Sequence, residues 1–147
     1  MKKVSKNIEE TSKIAKMFLD KILNNKRKQK GALIVALSGD LGAGKTAFTQ
    51  AVAKHLRIKG KVTSPTFVIM KKYAINLEKY KFLFHFDAYR LKNEKELLYL
   101  KWEEIINNQE HIVFIEWPEN VKKAIPADAR FIYISHKENG HRNLELK

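Results

Sequence analysis

Residues Gly39 to Thr46 read Gly-Asp-Leu-Gly-Ala-Gly-Lys-Thr, the spacing G-x-x-x-x-G-K-[ST] of a loop that cradles phosphate. Each residue type answers a physical need. Gly42 and Gly44 lack Cβ atoms, so the backbone there can take dihedrals closed to other residues and approach a polyphosphate closely. The loop amides, with the N-terminus of the helix that follows, present unpaired N–H groups to an anion. Lys45 has the reach and charge for the β and γ phosphates, and the Thr46 hydroxyl suits the Mg²⁺ that bridges them. Gly39, Asp40, Leu41, Gly42, Ala43, Gly44, Lys45 and Thr46 are therefore the first nucleotide-binding candidates. ATP and Mg²⁺ are the ligands that such a loop implies.

Nucleotide hydrolysis also needs carboxylates to hold the metal and position water. Asp87 closes Lys81-Phe82-Leu83-Phe84-His85-Phe86, and Glu116 closes Ile112-Val113-Phe114-Ile115. In a parallel sheet, functional groups gather at the carboxyl ends of strands, and both acids stand there. Either one can be the magnesium-orienting carboxylate, with the other positioning or activating the attacking water. Trp117, next to Glu116, can stack on a base or a partner, or can pack in the core. The five histidines show no metal-ligand spacing, and His85 and His55 read as structural. Thr63-Ser64-Pro65-Thr66 is a hydroxyl-rich turn that fits either a γ-phosphate sensor or a simple lead into a strand.

The elements that must hold these groups are legible around them. Ala32 to Leu37 is a continuous apolar run that suits a strand buried on both faces. After the loop, Phe48, Val52 and Leu56 recur every fourth residue, predicting a helix over 46–56. An amphipathic helix is expected over 8–25, with Asn7 and Glu10 as its capping box. Strands are expected at Phe67–Met70 and Lys81–Phe86, joined through 76–79. A helix over 94–106 should be capped by Asn93 and turn Leu97, Leu98, Trp102, Ile105 and Ile106 inward. A closing hairpin, 129–135 with 141–146, turns at Asn139-Gly140. The parts assemble as one α/β domain over 1–147 of the P-loop NTPase type. It has three layers and a mixed sheet, with a parallel core and antiparallel hairpins at the edges.

Composition narrows the class. The chain has 147 residues, 44% of them hydrophobic, enough for one real core. It has no cysteine, which removes disulfides, thiolate zinc sites and cysteine catalysis together. The N-terminal residues lack the apolar stretch of a secretory signal, and no run approaches a membrane span. A soluble, cytoplasmic protein with no membrane partner is expected. The formal charge of +13 comes from 29 basic and 16 acidic residues. Such an excess favours polyanions such as RNA, although lysines scattered over a solvated surface produce it equally well.

Four ordered motifs go further. Gly39–Thr46, Thr63-Ser-Pro-Thr-Phe67, His85-Phe-Asp-Ala-Tyr-Arg-Leu91 and Ile115-Glu-Trp-Pro-Glu119 resemble the TsaE (YjeE) family of small bacterial P-loop ATPases, and the likeness covers nearly the whole chain. The resemblance implies a part in making threonylcarbamoyladenosine beside the tRNA anticodon. It implies ATP hydrolysis in a complex of the TsaD–TsaB type, with tRNA met chiefly through that complex. It assigns phosphate and Mg²⁺ binding to Lys45 and Thr46, and the second magnesium ligand to Glu116. Asp87 and Trp117 match positions needed for activity. Thr66 falls in a switch-like loop, Thr11 matches a nucleotide contact, and the Gly140-His-Arg142 turn matches another. Two departures stand out: Lys101 where the family usually has glycine, and Ala88 where leucine is commoner.

Other functions fit less well. A small-molecule kinase of the P-loop class needs arginines that clamp the phosphoryl group. Here they stand singly at 27, 57, 90, 130 and 142, so weak basal turnover is expected. A GTPase would need the N-K-x-D motif, which the sequence lacks. A basic RNA-binding module leaves the loop and both acids unexplained.

Overall fold

The computed structural model describes residues 1–25, 30–60, 62 and 69–147. The basic run at 26–29, the hydroxyl-rich turn at 63–66 and the start of the strand expected at Phe67 lie outside the described residues.

Among the described residues, seven strands form one sheet: β1 (Lys2–Ser5), β2 (Leu33–Ser38), β3 (Met70–Leu77), β4 (Tyr80–Asp87), β5 (His111–Glu116), β6 (Arg130–His136) and β7 (Arg142–Leu146). Their order across the sheet is β1-β7-β6-β2-β5-β4-β3. β2 pairs in parallel with β5 and β6, and β4 in parallel with β5. β3 and β7 run antiparallel to their hairpin partners, and β1 antiparallel to β7. The parallel core with antiparallel edges is thus the architecture that the apolar runs predict, with β1 as an extra strand. That strand is too polar to read from sequence. It is held by its ladder to β7 and by the Ser5 hydroxyl, 2.6 Å from that of Thr11.

Among the described residues, four α-helices cover the sheet: α1 (Ile8–Leu23), α2 (Lys45–His55), α3 (Lys95–Leu98) and α4 (Trp102–Ile106). Period-2 alternation in the strands splits the core between two faces. Val35, Leu37, Leu83, Phe114 and Ile132 pack under Phe18 of α1 and Phe48 and Val52 of α2. Ile34, Ala36, Phe86, Val113 and Ile115 pack under Leu97 and Trp102 on the opposite side. α1 begins where its capping signal stands. The Asn7 side chain accepts the Glu10 backbone N–H at 2.8 Å, and the Glu10 carboxylate accepts from the N–H of Lys6.

Four local expectations need correction. The first strand of the central hairpin runs on to Leu77, leaving Glu78 and Lys79 as the turn, because Tyr73, Ile75 and Leu77 alternate onto the core face. The helix expected over 94–106 is two short helices, broken at Lys101, which takes the left-handed conformation (φ 58°, ψ 38°). The break re-aims the second helix so that Trp102 is buried edge-on against Phe86, its indole N–H donating to the Ala124 carbonyl at 3.1 Å. On the first of the two, Leu97 faces inward and Leu98 points outward, 57% exposed. Asn93 accepts the Lys95 N–H rather than capping a long helix.

Candidate active site

The carboxyl ends of β2, β5 and β4 lie side by side, and the phosphate loop leaves from the first of them. Leu37, Glu116 and Asp87 occupy one row of the ladder, with Leu37 paired to Glu116 and Glu116 to Asp87. Residues in register on parallel strands point the same way, about 4.8 Å apart. Both carboxylates thus face the layer of α1 and α2, at the mouth of the loop. They are 5% and 3% exposed, Asp87 and Glu116 respectively.

The loop is held by close packing on one side and left-handed turns on the other. Gly39 lies against β6 so tightly that a Cβ would stand 2.4 Å from the Ile134 carbonyl oxygen. The Ala43 N–H closes a turn on the Asp40 carbonyl at 2.9 Å, and Ala43 is wholly buried. Gly42 and Gly44 take φ of 78° and 109°, conformations that only glycine adopts cheaply.

Lys45 opens α2 and is buried with it. Its ammonium donates to the Gly39 carbonyl and, at 2.9 Å, to that of Asp40. It also lies 4.4 Å from the centre of the Trp117 ring. Burial lowers the Lys45 pKa, and the carboxylates of Glu116, Glu119, Asp87 and Asp40 act against that shift. Trp117 reaches the ammonium because its own backbone is left-handed (φ 58°) before Pro118, a strained turn of the kind found at functional sites. The Tyr89 ring packs at a tilt against Trp117, 5.0 Å between centres, and the Tyr89 N–H donates to Asp87 Oδ1 at 2.9 Å.

Gly42, Gly44, Lys45, Thr46, Asp87, Glu116 and Trp117 line one cleft of about 250 Å³, with Leu41 and Tyr89 at its edges. The side chain of Arg142 adjoins it, packed against Gly44, where a Cβ would meet its Nη1 at 2.9 Å. Gly39 and Asp40 take part through their carbonyls. Thr11 and Gly140 do not line this cleft. The Thr11 hydroxyl bonds with Ser5 and the Asn7 carbonyl, and Gly140 sits in the turn before Arg142. Thr66 lies outside the described residues. A larger groove of about 550 Å³, between Pro118, Lys122, Phe131 and Tyr133, contains no residue of the loop.

One participant is invisible to spacing rules. His85 is fully buried, and its Nε2 is 2.6 Å from Glu116 Oε2. Its Nδ1 is buried without a partner among the described residues. A hydrogen on Nδ1 would be a buried donor with no acceptor, costing about 1–3 kcal/mol. The network therefore assigns the hydrogen to Nε2, donated to the carboxylate. The usable sequence signal was its place two residues before Asp87, on the same face of a strand.

Among the described residues no three of His, Asp and Glu converge as a metal cluster. The cleft instead offers two carboxylates and a hydroxyl. Hard oxygen donors in that number suit Mg²⁺, which keeps waters and takes phosphate oxygens for its other positions.

A parallel core, a glycine-rich loop leading straight into a helix, and acids at the neighbouring strand ends define a protein of the P-loop class. The family model "Threonylcarbamoyl adenosine biosynthesis protein TsaE" matches residues 5–144. A TsaE protein of Rickettsia typhi is 32% identical over 140 residues, covering 94% of this chain and 88% of the relative. That of Bacillus subtilis is 34% identical over 138 residues, covering 94% and 79%, and that of Haemophilus influenzae 35% over 115 residues, covering 78% and 70%. The crystal structure of Bacillus subtilis YdiB superposes with a TM-score of 0.76 at 29% identity, covering 99% of this chain and 83% of that one. The chain belongs to the TsaE family, and its role lies in tRNA threonylcarbamoyladenosine biosynthesis. No helix among the described residues is long and apolar enough to cross a membrane.

Proposed function

We propose that this chain is the ATPase of the threonylcarbamoyladenosine machinery, hydrolysing ATP with Mg²⁺ in a cytoplasmic complex with TsaD–TsaB type partners. In this reading it meets tRNA through that complex. The observation that carries the proposal is the convergence of Lys45, Asp87 and Glu116 on one cleft under the glycine loop. The cleft of about 250 Å³ is smaller than the ~300–1,000 Å³ of pockets that enclose a whole small molecule. It suits a polyphosphate and a cation, with the nucleoside outside.

The residues divide the work by charge. The loop amides and the Lys45 ammonium hold the β and γ phosphates, and the ammonium exchanges its loop carbonyls for phosphate oxygens. Thr46 and Glu116 hold the metal. When bound, Mg²⁺ offsets the charge that builds on the phosphate oxygens as the γ-phosphoryl leaves. Asp87 orients the attacking water, and the Tyr89 N–H fixes one of its oxygens. The two acids beside the ammonium favour a divalent cation in the cleft, and Lys45 and Arg142 offset the charge of an anionic ligand. Arg142, against Gly44, is the arginine closest to hand for the phosphates.

The test is ATP turnover with and without a purified TsaD–TsaB pair and substrate tRNA, for the wild type and for Lys45→Ala and Asp87→Asn. Weak basal turnover that rises with partners is expected. Lys45→Ala should remove it, and Asp87→Asn should bind ATP yet slow hydrolysis by about 10²-fold or more. Unchanged turnover by Lys45→Ala would refute the assignment.

A further inference from the structure

We infer that His85 is the positioning residue of the cleft: its Nε2–H pins Glu116 Oε2 and leaves Oε1 as the oxygen turned to the metal. The inference rests on the proposed Mg²⁺–nucleotide reading and adds to it the group that orients the metal ligand.

The strands build this contact. On β4, His85 and Asp87 share a face, and on β5 so do Phe114 and Glu116, because side chains alternate. His85 is paired with Phe114 and Asp87 with Glu116, so the His85–Glu116 bond runs diagonally beneath the carboxylate pair. Its length is 2.6 Å, with the side chains 0% and 4% exposed. A free carboxylate on a strand end samples several rotamers. One with an oxygen anchored from below keeps a single presentation, as hydrogen-bonded carboxylate ligands do around bound metals.

Packing alone does not explain a histidine here. Its lateral neighbours in the sheet are Phe114 on β5 and Lys71 on β3. A leucine or phenylalanine would fill the position without leaving a buried nitrogen unpartnered, as Nδ1 is among the described residues. Buried polar atoms are rarely left so. Among the described residues the side chain makes one hydrogen bond, and that bond goes to the acid that lines the cleft.

Two variants separate positioning from structure. In His85→Gln the amide nitrogen reaches about where Nε2 stood and can still donate to Glu116. In His85→Asn it falls short. The readouts are Mn²⁺ binding in the presence of ADP, followed by the loss of the free-ion electron paramagnetic resonance signal, and ADP binding in EDTA by calorimetry. His85→Asn should weaken Mn²⁺ binding about 10- to 100-fold, as outer partners of metal ligands do, while His85→Gln stays within about threefold of wild type. Metal-free ADP binding, which depends on the loop, should be unchanged in both. In a Glu116→Gln background, His85→Asn should add nothing. Wild-type Mn²⁺ affinity in His85→Asn, or equal losses in Asn and Gln, would overturn the role of His85 alone. Loss of metal-free ADP binding in step with metal binding would make it merely structural. A wild type that takes up no Mn²⁺ with ADP would remove the metal-site reading itself.

Discussion

Replacing Gly39 by alanine tests whether the loop is seated by backbone packing. The new Cβ would stand 2.4 Å from the Ile134 carbonyl oxygen, where ordinary contact begins at 3.4 Å, a shortfall of 1.0 Å. The obstacle is main chain, so no rotamer relieves it, and β2 must part from β6 near the Ser38–Tyr133 pair. An N–H···O bond stretched by 1 Å from ~2.9 Å no longer counts as one. Losing about two such bonds at ~1 kcal/mol each, plus about 1–3 kcal/mol of overpacking, gives a loss of about 3–5 kcal/mol. Urea denaturation should read this as a lower midpoint at unchanged slope. Gly42→Ala is the control, because a Cβ there meets nothing within 4 Å. Only left-handed strain applies, about 1–2 kcal/mol, partly offset by a less flexible unfolded chain. If Gly39→Ala lies within about 1 kcal/mol of wild type, or Gly42→Ala is equally damaging, the seating argument fails.

Two further outcomes follow from single residues. Burial lowers the Lys45 pKa below 10.5, so between its folded value and 10.5 the unfolded chain binds more protons and stability rises with pH. Wild type should therefore gain on Lys45→Met as pH climbs from 7 through this window. A stability difference between the two that stays constant with pH would contradict it. Lys101→Gly should relieve the left-handed strain at φ 58° and stabilise the protein by about 0.5–1 kcal/mol, net of the added unfolded-state entropy. A melting temperature that fails to rise by ~2 °C would show that the turn is unstrained.

The parts of the fold that were readable are those where one physical demand dominates. β2, β4 and β5 are largely buried on two faces, so their sequences are mostly apolar runs, interrupted in β4 by His85, that lead into Gly39, Asp87 and Glu116. The Asn139-Gly140 turn was equally plain, since both residues take positive φ. β1 was hidden because its pairing with β7 is a backbone contract that Lys2-Lys3-Val4 does not advertise. The break at Lys101 was hidden because helical periodicity across 94–106 is satisfied locally, while burial of Trp102 is decided by Phe86 and Ala124. In the site, the loop and both acids could be found from spacing, but His85 could not, because its partner is 31 residues away and only the sheet order brings them together.

The distance between the two acids is set by a ladder of interstrand hydrogen bonds, not by the peptide that joins them. The crossover between Lys92 and Lys101 can therefore be shortened, lengthened or exchanged while the carboxylates keep their interval, provided Leu97 and Trp102 still find their sockets. That makes the segment a natural grafting point. A reporter loop inserted at the exposed Tyr99 would ride on the protein without disturbing the pair of acids beside it.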